Sequence, residues 1–265
     1  MIEFLSDGFN QLQLWLFEGL VQPLLFELGG GNLAEDAYGA TGWLLVGLLQ
    51  IAVMLCVIRA LERWRPVEPV SDRAAVRVDV LYTLLHRLGL FRLLMFFSID
   101  PLWDGLAAQA RMAGLPSFQL DALWPGVSDV PWVSFLLYLL VFDFVGYWLH
   151  RAQHGLGWWW ALHSLHHSQR QMTMWSDNRN HLLDDILIDA VFVLLARLIG
   201  VEPGQFVALV AVSQLMESLQ HANVRLWFGP VLERLVISPR FHRLHHSIGI
   251  GHESGGRGTL GGHNF

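Results

Sequence analysis

The 265-residue sequence has one cysteine, no lysine and few charges, with only 15% of its residues ionisable at neutral pH as Asp, Glu, Lys or Arg. With Cys56 alone, intramolecular disulfides and thiolate-cluster metal sites are excluded. All seventeen basic residues are arginine, a bias for which the sequence offers no functional reason. A soluble domain carries about 25% charged residues. The shortage here, with 53% hydrophobic residues and a mean hydropathy of +0.40, places the chain in the membrane class. The net charge of -6 gives no electrostatic reason to expect a nucleic acid partner. Residues 1–7 lack the basic-then-apolar layout of a cleaved signal. Repeats are absent, and a glycine-rich stretch at 249–262 is the one compositionally biased segment.

What is present is a series of apolar runs. Gly42 to Arg59 is the cleanest candidate span, close to the ~20 apolar residues a crossing needs. Arg59, Arg63 and Arg65 close it, and Arg73, Arg77, Arg87 and Arg92 follow, so that side is expected to be cytoplasmic. Leu84 to Leu106 is expected to run outward as a weaker span, and residues 107–130, with Pro116, Pro125 and Gly126, to form an external loop. Trp132 to Leu149 returns to the basic side, where Tyr147, Trp148, Trp158, Trp159 and Trp160 suit an interfacial belt. Leu182 to Gly200 and Gln205 to Leu219 read as a hairpin dipping into the membrane, broken at Val201-Glu202-Pro203-Gly204. Residues 9–28, interrupted by Gln11, Gln13, Glu18 and Pro23, either span or lie on the surface. The expected fold is an all-α integral membrane protein with about four to five spanning or membrane-dipping helices. A helical cap on the cytoplasmic side would hold a histidine-rich dinuclear metal site. Residues 1–130 would supply N-terminal membrane helices and the loop, and residues 131–265 a catalytic domain. A bacterial inner membrane is the expected location.

Histidine is concentrated in three boxes: His150-Arg-Ala-Gln-His154, His163-Ser-Leu-His166-His167 and His242-Arg-Leu-His245-His246. Residues three and four apart share one helical face, so each box can aim its nitrogens at one point. Threading the spans in order puts all three boxes, with His181 and His221, on the arginine-rich side. A lone His86 or His252 reads as a packed or surface residue. Eight core histidines would leave too many polar ring nitrogens to satisfy. Imidazole suits zinc, iron, copper or nickel, and eight ligands exceed the four of one tetrahedral ion, so two metals are the economical reading. A mononuclear zinc hydrolase of the His-Glu-x-x-His type is excluded, because Arg151 follows His150 and the motif occurs nowhere. Ionisable groups within membrane helices are costly and usually functional or paired. Asp143, Asp184, Asp185 and Glu217 are therefore assigned to the shell behind the ligands, where carboxylates fix imidazole tautomers. Asp189 is expected instead to pair with Arg179, Arg197 or Arg225 or to face water at the interface.

The run Asp143-Phe-Val-Gly-Tyr-Trp-Leu-His150-Arg-Ala-Gln-His154, followed by Trp160-Ala-Leu-His163-Ser-Leu-His166-His167, strongly resembles the fatty acid hydroxylase/sterol desaturase superfamily. Phe241-His242-Arg-Leu-His245-His246 resembles its last histidine box, and Arg179-Asn-His181-Leu-Leu-Asp184 its Arg-x-His-Pro-x-Glu element, with Leu182 in place of the proline and Asp184 in place of the glutamate. His221-Ala-Asn223 is similar to the lone mid-chain histidine of the sterol-type branch. The resemblance covers roughly residues 130–265. It implies an oxidoreductase of the membrane, with two iron ions held on the cytosolic side. Such an enzyme uses O2 and electrons from a cytochrome, ferredoxin or reductase to hydroxylate or desaturate a lipid. The lipid would be acyl, alkyl or sterol-like. It carries over His150, His154, His163, His166, His167, His242, His245 and His246 as catalytic metal ligands, and His181 and His221 as ligands or close neighbours. The family pattern continues into a Trp-Asp-x-Leu-Phe-Gly-Thr stretch, which is expected to be absent from these 265 residues. Two rivals remain. A membrane protein that binds or moves a transition metal would spread its acids through the membrane depth; a structural metal site would be closed with four ligands per ion.

Overall fold

The computed structural model describes residues 2–114 and 118–246, and within them the chain forms helices, turns and loops with no strand. Pro116, His252, the glycine-rich stretch and the end of the sequence at Phe265 lie outside the described residues.

Residues 9–28 fall in a continuous helical run made of α1 (Ile2–Leu16), a π turn and α2 (Gln22–Glu27). Its polar interruptions are met by protein: Gln13 is buried and donates from Nε2 to the Tyr38 carbonyl at 2.8 Å. The first apolar run becomes α3 (Ala34–Val53), a π turn at Met54–Ile58 and α4 (Arg59–Trp64). With the 3-10 turn Gly31–Leu33 before them they give a 34-residue helical stretch, Gly31–Trp64, with α8 (Pro131–Gly155) the second long apolar helix. These two are the helices among the described residues long and apolar enough to cross a membrane.

The expected span from Leu84 to Leu106 is not one helix. α5 (Arg73–Arg87), opened by Asp72 accepting from the Ala75 amide at 3.0 Å, stops at Leu88. Gly89 then adopts φ +85°, a left-handed conformation that L side chains avoid and that ends a helix. The chain restarts as α6 (Leu90–Ser98) and α7 (Asp100–Met112), so residues 107–112 are helical rather than loop. A second glycine matters for packing: a Cβ on Gly47 would sit 1.6 Å from the Arg87 carbonyl oxygen, so only glycine lets α3 approach α5 this closely.

The expected helix pair forms as α10 (Leu182–Ile199) and α11 (Pro203–His221), with α9 (Gly157–His163), α12 (Gly229–Leu232) and α13 (Pro239–His245) the remaining helices among the described residues. Pro131, Pro203 and Pro239 each occupy the first helical turn, where a missing N–H costs nothing. Two buried clusters fix the site. Tyr138, Phe142, Ala196 and Leu209 fasten α8, α10 and α11 together. Met54, Ile58, Met174, Trp175, Ala222 and Val224 fasten the end of the first long helix to the loops behind the second and third histidine groups.

The arginines divide. Arg59, Arg63, Arg65, Arg73 and Arg77 are exposed. Arg87 is buried, donating to Asp177 at 2.9 Å, Ser218 at 3.0 Å and Gln214. It is thus a strut rather than an interfacial charge, and leaving Asp177 without it would cost about 3–5 kcal/mol. Asp189 is paired, but with Arg92 at 2.9 Å; Arg179 and Arg197 take Asp79 and Asp104 instead. The expected tryptophan belt also divides: Trp148 and Trp158 are exposed, whereas Trp159 turns inward.

Candidate metal centre

Five short segments bring nine histidines together: the eight of the boxes and His221. His150 and His154 lie one turn apart at the end of α8, and His163 ends α9. His166 and His167 occupy the 3-10 turn His166–Ser168, and His221 is the last residue of α11. His242 and His245 lie on α13 and His246 caps it; Ser238 starts that helix by accepting from the Phe241 amide.

The rings gather around two poles. At the first, the ligand atoms of His166, His221, His242 and His246 lie within 4.8 Å of one another, all four residues being buried. The Nε2 atoms form a chain of contacts: His166 to His221 at 3.1 Å, His221 to His242 at 3.0 Å, and His242 to His246 at 3.1 Å. A neutral imidazole nitrogen offers either one proton or one in-plane lone pair. The Nε2 atoms of His221 and His242 therefore cannot each satisfy two nitrogen neighbours, whereas one cation satisfies all four. Four nitrogens held ~2.0–2.1 Å from a tetrahedral ion would lie roughly 3.3–3.4 Å apart, close to the spacing found. Burial, and then the neighbouring His221, push the His166 pKa down to about 3. Burial followed by neighbouring imidazoles likewise holds His242, His246 and His167 well below the ordinary histidine range. Neutral imidazole is the form that binds metal.

At the second pole, His150, His154 and His245 form one group and His154, His163 and His167 another. His150 Nε2 meets His245 Nε2 at 2.9 Å. The group His167, His245 and His246 joins the two poles, with the His167 and His246 rings stacked at 4.1 Å. Borderline nitrogen donors in this number fit iron or zinc and exclude a hard oxygen-seeking ion such as calcium.

Behind the rings, Asp184 is buried, and its Oδ2 meets His163 Nδ1 at 3.1 Å. Its Oδ1 accepts from Gln153 Nε2 at 2.8 Å and Trp159 Nε1 at 2.7 Å. Gln153 in turn faces His150 Nδ1 through Oε1 at 3.2 Å, and His221 Nδ1 meets the Glu217 carbonyl at 2.8 Å. The structure does not bring the other expected acids to the rings. Asp185 faces His86 Nε2 at 3.3 Å. The carboxylates of Asp143 and Glu217 open onto a cavity and meet no hydrogen-bond donor among the described residues. His181 also stays apart: it is exposed, and its Nδ1 caps α10 by accepting from the Leu183 amide at 3.2 Å. That capping fixes the ring at the start of α10, away from the four histidine groups. Sequence reasoning missed Gln153, Trp159 and the Arg87–Asp177 pair. Gln153 alone carried a signal, its position three residues after His150.

The cavity has a volume of about 690 Å³, within the ~300–1,000 Å³ of small-molecule sites. Leu139, Phe142, Phe192, Phe206 and Val210 give it apolar walls, and His150, His163, His166, His221 and His242 border its polar end. An apolar chain bound along those walls would present its atoms to the histidines.

Residues 135–258 match the fatty acid hydroxylase family. The chain is 28% identical over 195 residues to an ornithine lipid hydroxylase of Rhizobium tropici, covering 73% of this chain and 57% of that protein. It is 28% identical over 157 residues to an alkylglycerol monooxygenase of Caenorhabditis elegans, covering 56% of this chain and 30% of the relative. A Delta(7)-sterol 5(6)-desaturase of Gibberella zeae is 26% identical over 155 residues, covering 57% of this chain and 47% of the relative. The chain thus spans about half, or less, of the curated relatives it matches. No solved structure matches it.

Proposed function

We propose that the chain is a member of the fatty acid hydroxylase/sterol desaturase superfamily, supported by the family match over residues 135–258, and a membrane oxidoreductase that hydroxylates or desaturates a lipid. The observation that carries this reading is the cavity lined both by apolar side chains and by five of the clustered histidines. The substrate is a lipid with an acyl, alkyl or sterol-like chain, which the aromatic and aliphatic walls can align without polar contacts. Residues 131–265 form the catalytic part, and residues 1–130 complete the membrane anchorage.

Nine histidines around two poles fit two metal ions, and iron is the ion proposed. Two irons would supply the oxidising power that an unactivated C–H bond requires, using O2, two electrons and two protons, with the products an alcohol and water or an alkene and two waters. The protein's own residues do the rest. The first pole is held by buried neutral imidazoles. Asp184 orients His163 through Nδ1, and through Gln153 the ring of His150. The apolar walls align the chain and limit water at the reacting carbon. Electrons come from a cytochrome, ferredoxin or reductase docking on the side where the histidines lie. That side is the cytoplasmic one, of a bacterial inner membrane.

Metal analysis and an oxygen-labelling experiment test this reading. The purified protein should carry close to two irons per chain. Membranes supplied with a reductant and 18O2 should place one label in a lipid alcohol, or consume O2 as an alkene forms. Both activities should vanish in His166→Ala and His245→Ala. Bound metal with no O2 consumption in any lipid extract would favour a metal carrier and overturn the oxidoreductase reading.

A further inference from the structure

Between two histidines of the first pole, His221 and His242, the chain makes an excursion that the catalytic reading leaves unused. Its base is closed by two backbone bonds. The Arg240 amide donates to the Leu226 carbonyl at 3.2 Å, and the Arg225 amide donates to the Arg65 carbonyl at 2.8 Å. Arg65 directly follows Trp64, the last residue of the first long apolar helix, and Trp64 is itself 74% exposed. The excursion is thereby pinned at the level where that helix leaves the bilayer.

Its outer surface is apolar. Trp227, Val231, Leu232 and Leu235 are exposed by 50%, 76%, 46% and 70%. An apolar group of this kind on a short loop marks an interaction surface rather than random exposure. The flanking charge has one sign. Arg225, Arg234 and Arg240 are exposed, while the one acid between residues 225 and 240, Glu233, is turned inward to accept from Trp227 Nε1 at 2.7 Å and from Ser238 Oγ. Val236 and Ile237 line the cavity, and the exposed Leu235 also borders it, so the turn reaches from the outer surface to the cavity.

We propose that residues 226–240 dip into the headgroup and acyl boundary of the membrane and form the rim over which lipid enters the cavity. Val231 and Leu235 would enter the acyl region, while Arg225, Arg234 and Arg240 meet lipid phosphates at the surface. The occupant is the surface of an anionic phospholipid bilayer, chosen by the arginine excess and by the fixed height of the excursion's base. The inference rests on the membrane reading of the long helices and is independent of the metals.

The test uses the full chain with Cys56→Ser, carrying Val231→Cys, Leu235→Cys or, as a polar control, Arg73→Cys, each labelled with an environment-sensitive fluorophore. The protein is placed in nanodiscs of phosphatidylethanolamine and phosphatidylglycerol. Lipids with a nitroxide near the headgroup should quench the labels at 231 and 235 at least about twofold more than the label at 73. Equal quenching by aqueous iodide at all three positions would overturn the proposal. So would energy transfer between labels at 231 that is insensitive to nitroxide lipid, because the surface would then join two copies of the chain. Leu235→Glu adds a functional arm: iron content should be normal while oxidation of bilayer-borne lipid falls about fivefold or more. Were the wild-type protein to oxidise no lipid, the catalytic reading would fail while the labels still decided the rim.

Discussion

The two poles of the histidine cluster are built from the same ligand type and supported differently. Around His166, His221, His242 and His246 the rings are buried, their Nε2 atoms touch one another, and the Glu217 carbonyl steadies His221 from behind. Around His150, His154, His163, His167 and His245 two residues are only half-buried, and a buried carboxylate, Asp184, stands one imidazole away. The hydrogen-bonded support behind the second pole is therefore a carboxylate acting through His163, and behind the first a backbone carbonyl acting through His221. The difference teaches that equal ligands need not make equal sites: the first pole is secured by exclusion of water, the second by an ordered hydrogen-bonded acid.

That comparison can be broken most directly by removing one ligand at a time. His242→Ala should lower iron content from two to about one per chain and cut lipid oxidation by ~10²-fold or more, as should His154→Ala at the other pole. Elemental analysis of both variants decides whether the poles fill separately; loss of both irons in each would make them one unit.

Acid should act first on the pole that relies on burial. The folded pKa of His166 is about 3, and those of His242 and His246 are well below normal, against an unfolded value near 6.5. A depressed histidine leaves the folded state unprotonated while the unfolded chain takes up protons. The stability of the metal-free protein is thus intact above pH ~6.5 and falls as pH drops towards about 3, by up to ~1.4 kcal/mol per pH unit for each such group. Thermal unfolding of metal-stripped protein between pH 7.5 and pH 5 measures the slope, and a flat profile would contradict the burial account.

Asp184→Asn sharpens the contrast, because it touches the second pole alone. Loss of the carboxylate should weaken metal binding there about 10–100-fold and leave the first pole filled, which a chelator titration of the two iron equivalents would reveal. His181→Ala should have the smallest effect. It removes a helix cap worth ~1 kcal/mol and should leave both irons in place; loss of an iron equivalent would return His181 to the ligand set.

Much of the site was legible because ligand spacing is a local property. The boxes at 150–154, 163–167 and 242–246 gathered their imidazoles in three- and four-residue steps, and Asp184 was recognisable as an acid beside them. His181 looked equivalent to His221 in the chain. Only folding separates them, because His181 opens α10 and caps it while His221 closes α11 inside the cluster. The same limit hid Arg87. A positive residue following a long apolar run reads as an interfacial charge, and nothing local says that Asp177, Gln214 and Ser218 will surround it.

By itself the sequence determined the helical class, two long apolar helices and the chemistry of the ligands, since hydrophobic period and imidazole spacing are set by neighbours in the chain. Tertiary structure decided the division into two poles, which acid stands behind which ring, and where the cavity meets the histidines. Those depend on contacts between segments far apart in the chain, such as His150 with His245 and Gln50 with Gln214, which form only when packing brings the helices together.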